Sequence, residues 1–431
     1  MKGQIEMKQE LFFGNWLSAA RNEKLEIHEQ SWLLAEDGKI KSLGKEKPQV
    51  AESVRVHNFG DKLLIPPFSD LHLHAVQAMN CGLGLDLTLL DWLKTYTYPE
   101  ESRFADPAYA EAVFRRVIHE LWKFGSLNSI IFSSLHKEAT LLLMKLLQEA
   151  GLRAYVGKVN MDRLSPDYLH ESAEESLAAT REWLEESRAY GALVKPIITP
   201  RFAPSCTDQL LEGLGLIVED YDLPLQSHLN ETPEEVALVH ELFPRAQNYL
   251  EVYEHFGLLP RGKTVMAHCI YNSREEEALL LEKQITIAHC PSSNMNIASG
   301  ISRIRDYMKE GFLIGLGSDI SGGESLSMQQ VIKDALKSSA LLSRKRKLAV
   351  PPLSLNEIFY LATRGGRAFY PESGGFEEGL SCDFLVVDDE VEKLPRQFSL
   401  EERLHRFLYY ASPEEITTRV LAAEILPEPQ L

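Results

Sequence analysis

A mixed α/β architecture, a (β/α)8 TIM barrel with a small β-sandwich domain formed by both chain termini, is what this sequence predicts. Three observations carry that expectation. Short apolar runs in the middle of the chain are followed by longer amphipathic segments, the pattern of βα units on a parallel sheet. Eight such runs stand at 63–74, 129–134, 153–159, 193–202, 223–229, 264–268, 284–290 and 312–319. Both ends of the chain read instead as short strands with turns between them.

In chain order, LFFGNWLSA and SWLLAEDGKIKSLG are mixed apolar segments, the second with a turn at Asp37 and Gly38. Between the barrel runs, DPAYAEAVFRRVIHELWKF and TDQLLEGLGLIVEDY have helical spacing. The dense charge at 171–186 reads as a solvated helix face. Near the end, CDFLVVDD has the pattern of a buried strand, and TTRVLAAEIL suits another. The expected division is 1–62 and 371–431 as the two parts of the small β domain, and 63–370 as the barrel between them.

Composition narrows the function classes. The chain has 431 residues, 44% of them apolar, enough for a large core. Its 45 basic and 63 acidic residues give a formal charge of −18, which repels a phosphate backbone and argues against a nucleic-acid polymer as partner. The N-terminal stretch MKGQIEMKQELFFGNW lacks the apolar core and small-residue cleavage site of a signal peptide. No apolar run approaches the length of a membrane span. A cytoplasmic protein without a membrane partner is therefore expected. Five scattered cysteines, none in a CxxC pair, fit reduced thiols and argue against a cysteine metal site.

The ends of the strands carry the chemistry. In a barrel of this kind the working groups sit at the C-terminal strand ends. Run one ends in Asp70-Leu-His72-Leu-His74, and residues two apart on a strand face the same side. Run five ends with His228, followed by Glu231; run six ends with His268; run eight ends with Asp319. Each alone has a plain structural explanation. Asp319 could cap a helix, and Glu231 could be a helix-start glutamate beside Thr232 and Pro233. Four strand ends carrying His or Asp toward one point instead suggest a divalent cation with an open position for water. Such water ionises near pH 7, and Glu231 is placed to move its proton.

Seven segments carry a resemblance: DLHLHAVQ (70–77), LLDWLKTYTYPEESRF (89–104), VKPIITPRFAPSC (194–206), QSHLNE (226–231), MAHCIY (266–271), AHCPSSNMNIASG (288–300) and GLGSDISGG (315–323). Together they resemble the amidohydrolase superfamily in its single-metal deaminase branch, and within it the guanine deaminases. The resemblance implies hydrolytic deamination of guanine to xanthine and ammonia by a zinc-bound hydroxide. It implies His72, His74, His228 and Asp319 as ligands of one Zn2+, with Fe2+ suited to the same donors. It makes Glu231 the proton shuttle, and His268 and Asp319 its catalytic companions. Gln77, Arg201 and Phe202 would hold the purine base. A homodimer active in purine catabolism is also implied.

Some positions depart from the family pattern. Pro67 stands where a glycine is usual, and is expected to shift the backbone ahead of the HxH pair. Ser318 and Ser292 replace a common threonine and asparagine. Lys195 matches the region where two-metal relatives carry a carbamylated lysine, and with Glu231 present it is read as structural. His136, His289 and Cys290 are given no role. Two other readings stay open: an amidohydrolase deaminase or chlorohydrolase for another heterocycle, and a metal-free scaffold on the same barrel.

Overall fold

The computed structural model describes residues 8–20, 24–410 and 412–431. Residues 1–7, which open the N-terminal stretch read above, lie outside the described residues, as do 21–23 and 411. Eight barrel strands fall where the apolar runs stand: Phe68–His74, Ser126–Phe132, Arg153–Gly157, Val194–Pro196, Leu225–Leu229, Thr264–His268, Thr286–His289 and Leu313–Leu316. They pair in parallel as two four-stranded arcs, strands one to four and five to eight. A bridge between Ile198 and Leu225 joins the arcs on one side. On the other, Asp319 N–H donates to the His72 carbonyl at 2.8 Å and Ser318 N–H to Asp70 Oδ1 at 2.9 Å. The seam that closes the barrel thus runs through the strand ends that bear the histidines and the aspartate.

The run at 63–74 proves to be the end of one strand and the whole of another. Arg55–Ile65 belongs to the terminal sheet, with Leu63, Leu64 and Ile65 opposite Val387, Val386 and Leu385. Pro66 and Pro67 fill the break before barrel strand one. Proline has no N–H for a ladder, so the chain changes partners there.

Strands from both termini form one seven-stranded sheet. Its order is Glu424–Ile425, Ile416–Leu421, Phe384–Val387, Arg55–Ile65, Gln9–Ala19, Leu25–Glu36 and Lys39–Gly44. Asp37 and Gly38, with φ of 48° and 78°, make the tight hairpin between the last two; both central residues are left-handed, as a type I′ turn requires. Phe12, Trp16, Leu33, Leu64, Phe384 and Val420 make this sheet's own core.

The two helical segments noted in the sequence are helices Pro107–Phe124 and Asp208–Tyr221. The first starts on Asp106, which accepts from Ala108 N–H, with Pro107 at the first position, and stops at left-handed Gly125. The charged stretch is helix Ala173–Ser187, anchored by buried Trp183 and a Ser172–Glu175 capping box. Inside the barrel, Leu71, Ile130, Ile197, Val265 and Ala288 meet Phe369 and Tyr370, which plug the lower end. The interior is filled, so chemistry is confined to the rim. Among the described residues no helix is long and apolar enough to cross a membrane.

Candidate active site

At the C-terminal rim, His72 and His74 project from the same face of strand one toward Asp319. His72 Nε2 lies 3.4 Å and His74 Nε2 3.6 Å from Asp319 Oδ1. His74 Nε2 lies 3.1 Å from His228 Nε2. The donor atoms of His72, His74 and Asp319 fall within 4.8 Å of one another, and so do those of His72, His228 and His268. His228 Nδ1 donates to the Arg201 carbonyl at 2.6 Å, which fixes its tautomer and leaves Nε2 with a bare lone pair. That lone pair faces a second imidazole nitrogen at close range. Burial keeps His72, His74 and His228 below their ordinary pKa, so neutral rings are favoured. Asp319 would be raised by burial alone, but the neighbouring imidazoles, His72 foremost, hold it well below the usual carboxylate range. His72 Nε2, which faces the cluster, is buried without a hydrogen-bond partner among the described residues. Neutral nitrogens and an ionised carboxylate turned on one point fit a divalent metal ion.

Asp319 does not cap a helix. Its φ of 47° turns the chain sharply at the end of strand eight, and the next helix, Met328–Lys345, begins after Ser327. His268 and Cys269 are also left-handed, at 70° and 51°, and non-glycine residues held so are a common mark of reactive sites. Glu231 is likewise free of capping duty. Thr232 and Glu235 form the capping box of helix Pro233–Leu242, and Glu235 also accepts the Glu231 N–H at 2.8 Å. The Glu231 carboxylate therefore turns into the rim. Ser299 Oγ donates to its Oε1 at 3.0 Å, and His268 Nε2 lies 3.4 Å from its Oε2. Burial, with Glu235 and Asp319 nearby, pushes Glu231 up to about 7 against the pull of His268 and Ser299. His268 is aimed by Asn294, whose Oδ1 lies 2.8 Å from Nδ1. A carboxyl group that titrates near neutrality beside an oriented imidazole suits proton transfer.

Next to this centre lies a recess. Gln77, Arg201, Phe202, Trp92 and Leu93 line it together with His74, His228, Glu231, His268 and Asp319. Every site residue expected from the sequence thus meets here, with His72 directly beneath. Part of the wall comes from the segment after strand one. It folds as short helical turns, Leu89–Trp92, a wide turn over Leu93–Thr97, and Tyr98–Glu101. Arg201 is buried, with its guanidinium carbon 5.2 Å from the centre of the Tyr98 ring. Its NH1 donates to Glu101 Oε2 at 2.6 Å.

The rim arrangement and the chain's relatives agree. Residues 63–419 match the amidohydrolase family. The guanine deaminase of Dictyostelium discoideum is 38% identical over 379 residues, covering 86% of this chain and 83% of that protein. The guanine deaminase of Rattus norvegicus is 39% identical over 372 residues, covering 84% and 80%. A crystal structure of guanine deaminase from C. acetobutylicum, with guanine bound in its active site, superposes with a TM-score of 0.94 at 40% identity, over 97% of this chain and 100% of that one. The chain belongs to the amidohydrolase family, in its guanine deaminase branch.

This amidohydrolase also uses residues that the sequence reading left without a role. Asn294 and Ser299 orient His268 and Glu231; both lie in AHCPSSNMNIASG, but several polar residues there compete for such a part. Tyr98 and Glu101 hold Arg201. Of the residues set aside, Lys195 is exposed and lies over the Tyr155 ring, and buried His289 is pushed down to about 3 by burial. Cys290 lies close to the centre, its sulfur within 4.8 Å of donor atoms of His268 and Asp319. Burial raises this thiol well above its ordinary value, which keeps it protonated and unreactive. Pro67 lies outside strand one, and His72 and His74 still converge on Asp319. Ser318 helps close the barrel through its N–H, and Ser292 Oγ donates to Asp334 at 2.8 Å.

Proposed function

We propose that this chain hydrolyses guanine to xanthine and ammonia, using one zinc ion held by His72, His74, His228 and Asp319. The observation that carries the reading is the convergence of these four side chains beside a recess edged by Gln77, Arg201 and Phe202. The guanine deaminase relatives supply the substrate. When bound, the ion supplies Lewis acidity that makes a water acidic near neutral pH; Fe2+ suits the same nitrogen and oxygen donors.

The chain's own residues do the rest. Phe202 gives the planar base an apolar face. Arg201 donates to the oxygen at C6, and Gln77 reads the neighbouring edge, so that C2 is turned toward Glu231. Glu231 takes the proton of the attacking water and passes it to ring N3. His268, held by Asn294, stabilises charge as C2 becomes tetrahedral, and Asp319 with Glu231 moves a proton to the departing amine. Purine catabolism or salvage, a cytoplasmic setting and a homodimer go with this reading.

The test is ammonia release by the purified protein from guanine, adenine, cytosine, a pterin and a triazine, with metal content measured on the same sample. Guanine turnover that disappears on chelation and returns with zinc supports the proposal. Turnover of another heterocycle alone transfers the site to that substrate. Protein that never carries metal at this site, and never releases ammonia, leaves the scaffold reading.

A further inference from the structure

Glu101 is a buried carboxylate at the end of Tyr98–Glu101, its side chain 5% exposed. Both of its oxygens are committed. Oε1 accepts from Gln77 Nε2 at 2.8 Å, and Oε2 accepts from Arg201 NH1 at 2.6 Å. Its neighbour Glu100 is engaged elsewhere, by the Tyr109 hydroxyl and by Arg103. One acid therefore holds both polar residues of the recess that are assigned to the base.

An ionised carboxylate only accepts hydrogen bonds. Gln77 must give it the amide nitrogen, because the reverse orientation would set two oxygens against each other in a buried site. The carbonyl end of that amide is then left for the recess. Arg201, with NH1 taken and the Tyr98 ring beside it, keeps its remaining N–H groups to donate. An acceptor and a donor are thus shown in fixed order, and a third residue fixes the order.

Resting on the guanine reading above, we propose that Glu101 is the positioning residue that sets selectivity at the edge of the base. It holds Gln77 as acceptor for N1–H and Arg201 as donor to the C6 oxygen. The discriminating probe is 2,6-diaminopurine. It keeps the amine at C2, so the reaction is unchanged. It carries an amine at C6 and an unprotonated N1, which reverses donor and acceptor at both contacts. Wild-type protein meets it with two mismatches, and a site built around hydrogen bonds rejects such an analogue strongly.

The experiment compares wild type, Glu101→Gln and Glu101→Asp. It reads kcat and KM for guanine and 2,6-diaminopurine by ammonia release, calorimetric binding of both bases, bound metal and Tm. The Gln side chain keeps the size but offers a donor as well as acceptors, which releases the Gln77 amide to turn over. The guanine-to-diaminopurine ratio of kcat/KM is expected to fall about tenfold or more in Glu101→Gln. The ratio falls less in Glu101→Asp, which keeps the charge on a shorter arm, and metal content holds in both. A merely structural role lowers both rates together and leaves the ratio alone. Ratios within about twofold of wild type in the variants that fold overturn the proposal. If wild type releases no ammonia from guanine, the guanine reading fails by itself, and the calorimetric binding ratio then decides the role of Glu101.

Discussion

The two ends of the barrel bury charge in opposite ways. At the lower end Arg153, the first residue of strand three, donates to both oxygens of Asp383 and, at 2.8 Å, to Ser381 Oγ. Asp383 also accepts the Ala422 N–H at 2.8 Å. Barrel and terminal sheet are clamped by charges whose partners are all protein. At the upper end the imidazoles of His72 and His74 keep buried nitrogens with no hydrogen-bond partner among the described residues. Burial disfavours their protonation, and Glu231 is left poised near neutrality. Both ends are buried; they differ in whether the chain or something outside it completes the hydrogen bonds. The lower end spends its polar groups on rigidity, whereas the upper end holds them ready for an ion and a substrate.

The largest expected effect is at the upper end. Glu231→Gln should lower kcat about a hundredfold or more, with bound metal retained. Its Tm should hold or rise, since a buried carboxyl that resists ionisation gives way to a neutral amide. Metal analysis, steady-state kinetics and thermal unfolding of one preparation check this. Near-normal turnover would remove Glu231 from the proton path, and a large loss of Tm would make it a structural group like Arg153.

The lower end should answer the other way. Arg153→Met strands the Asp383 carboxylate in a buried site and should cost about 3 kcal/mol of stability. Turnover per folded molecule should stay near wild type. Adding Asp383→Leu should restore part of the loss, because a buried pair replaced by apolar side chains is often close to neutral. Unfolding midpoints of the single and double variants read this directly. If Arg153→Met instead lowers kcat at unchanged stability, the division of labour between the two ends is wrong.

The contrast also explains what the sequence revealed. Eight apolar runs with His or Asp at four of their ends were legible because strand periodicity and position in a barrel are written locally. The alternation His72-Leu73-His74 alone puts two imidazoles on one side. The break at Pro66 and Pro67 was hidden, because a continuous apolar run does not say which sheet each half joins; strand partners are distant in sequence. Glu101 was hidden for another reason. It adjoins Glu100 on a one-turn helix, and only packing decides that Glu101 turns to Gln77 and Arg201 while Glu100 turns to Tyr109. Asn294 and Ser299 likewise act on residues far away in the chain.

The smallest effect sharpens the comparison just beyond the end of strand three. Lys158 is fully buried; its Nζ donates to Glu171 Oε2 at 2.8 Å and to the Val159 carbonyl at 3.3 Å, and half-buried His136 is near. Burial lowers its pKa, and Glu171 offsets only part of that. Below the folded-state value the lysine is charged in both states, and folding bears the full cost of burying it. As pH rises through that value the folded lysine releases its proton first. The unfolded chain then binds more protons, and stability rises with pH until the unfolded lysine also titrates, near about 10.4. Against Lys158→Met, wild type should therefore gain relative stability on the alkaline side, over and above a constant offset from the Glu171 left without its partner. Denaturant midpoints of the two proteins from pH 7 to 10 give the difference curve. A curve that falls with pH would mean that the Glu171 contact outweighs burial, and Lys158 would then belong with Arg153 among the fully compensated charges.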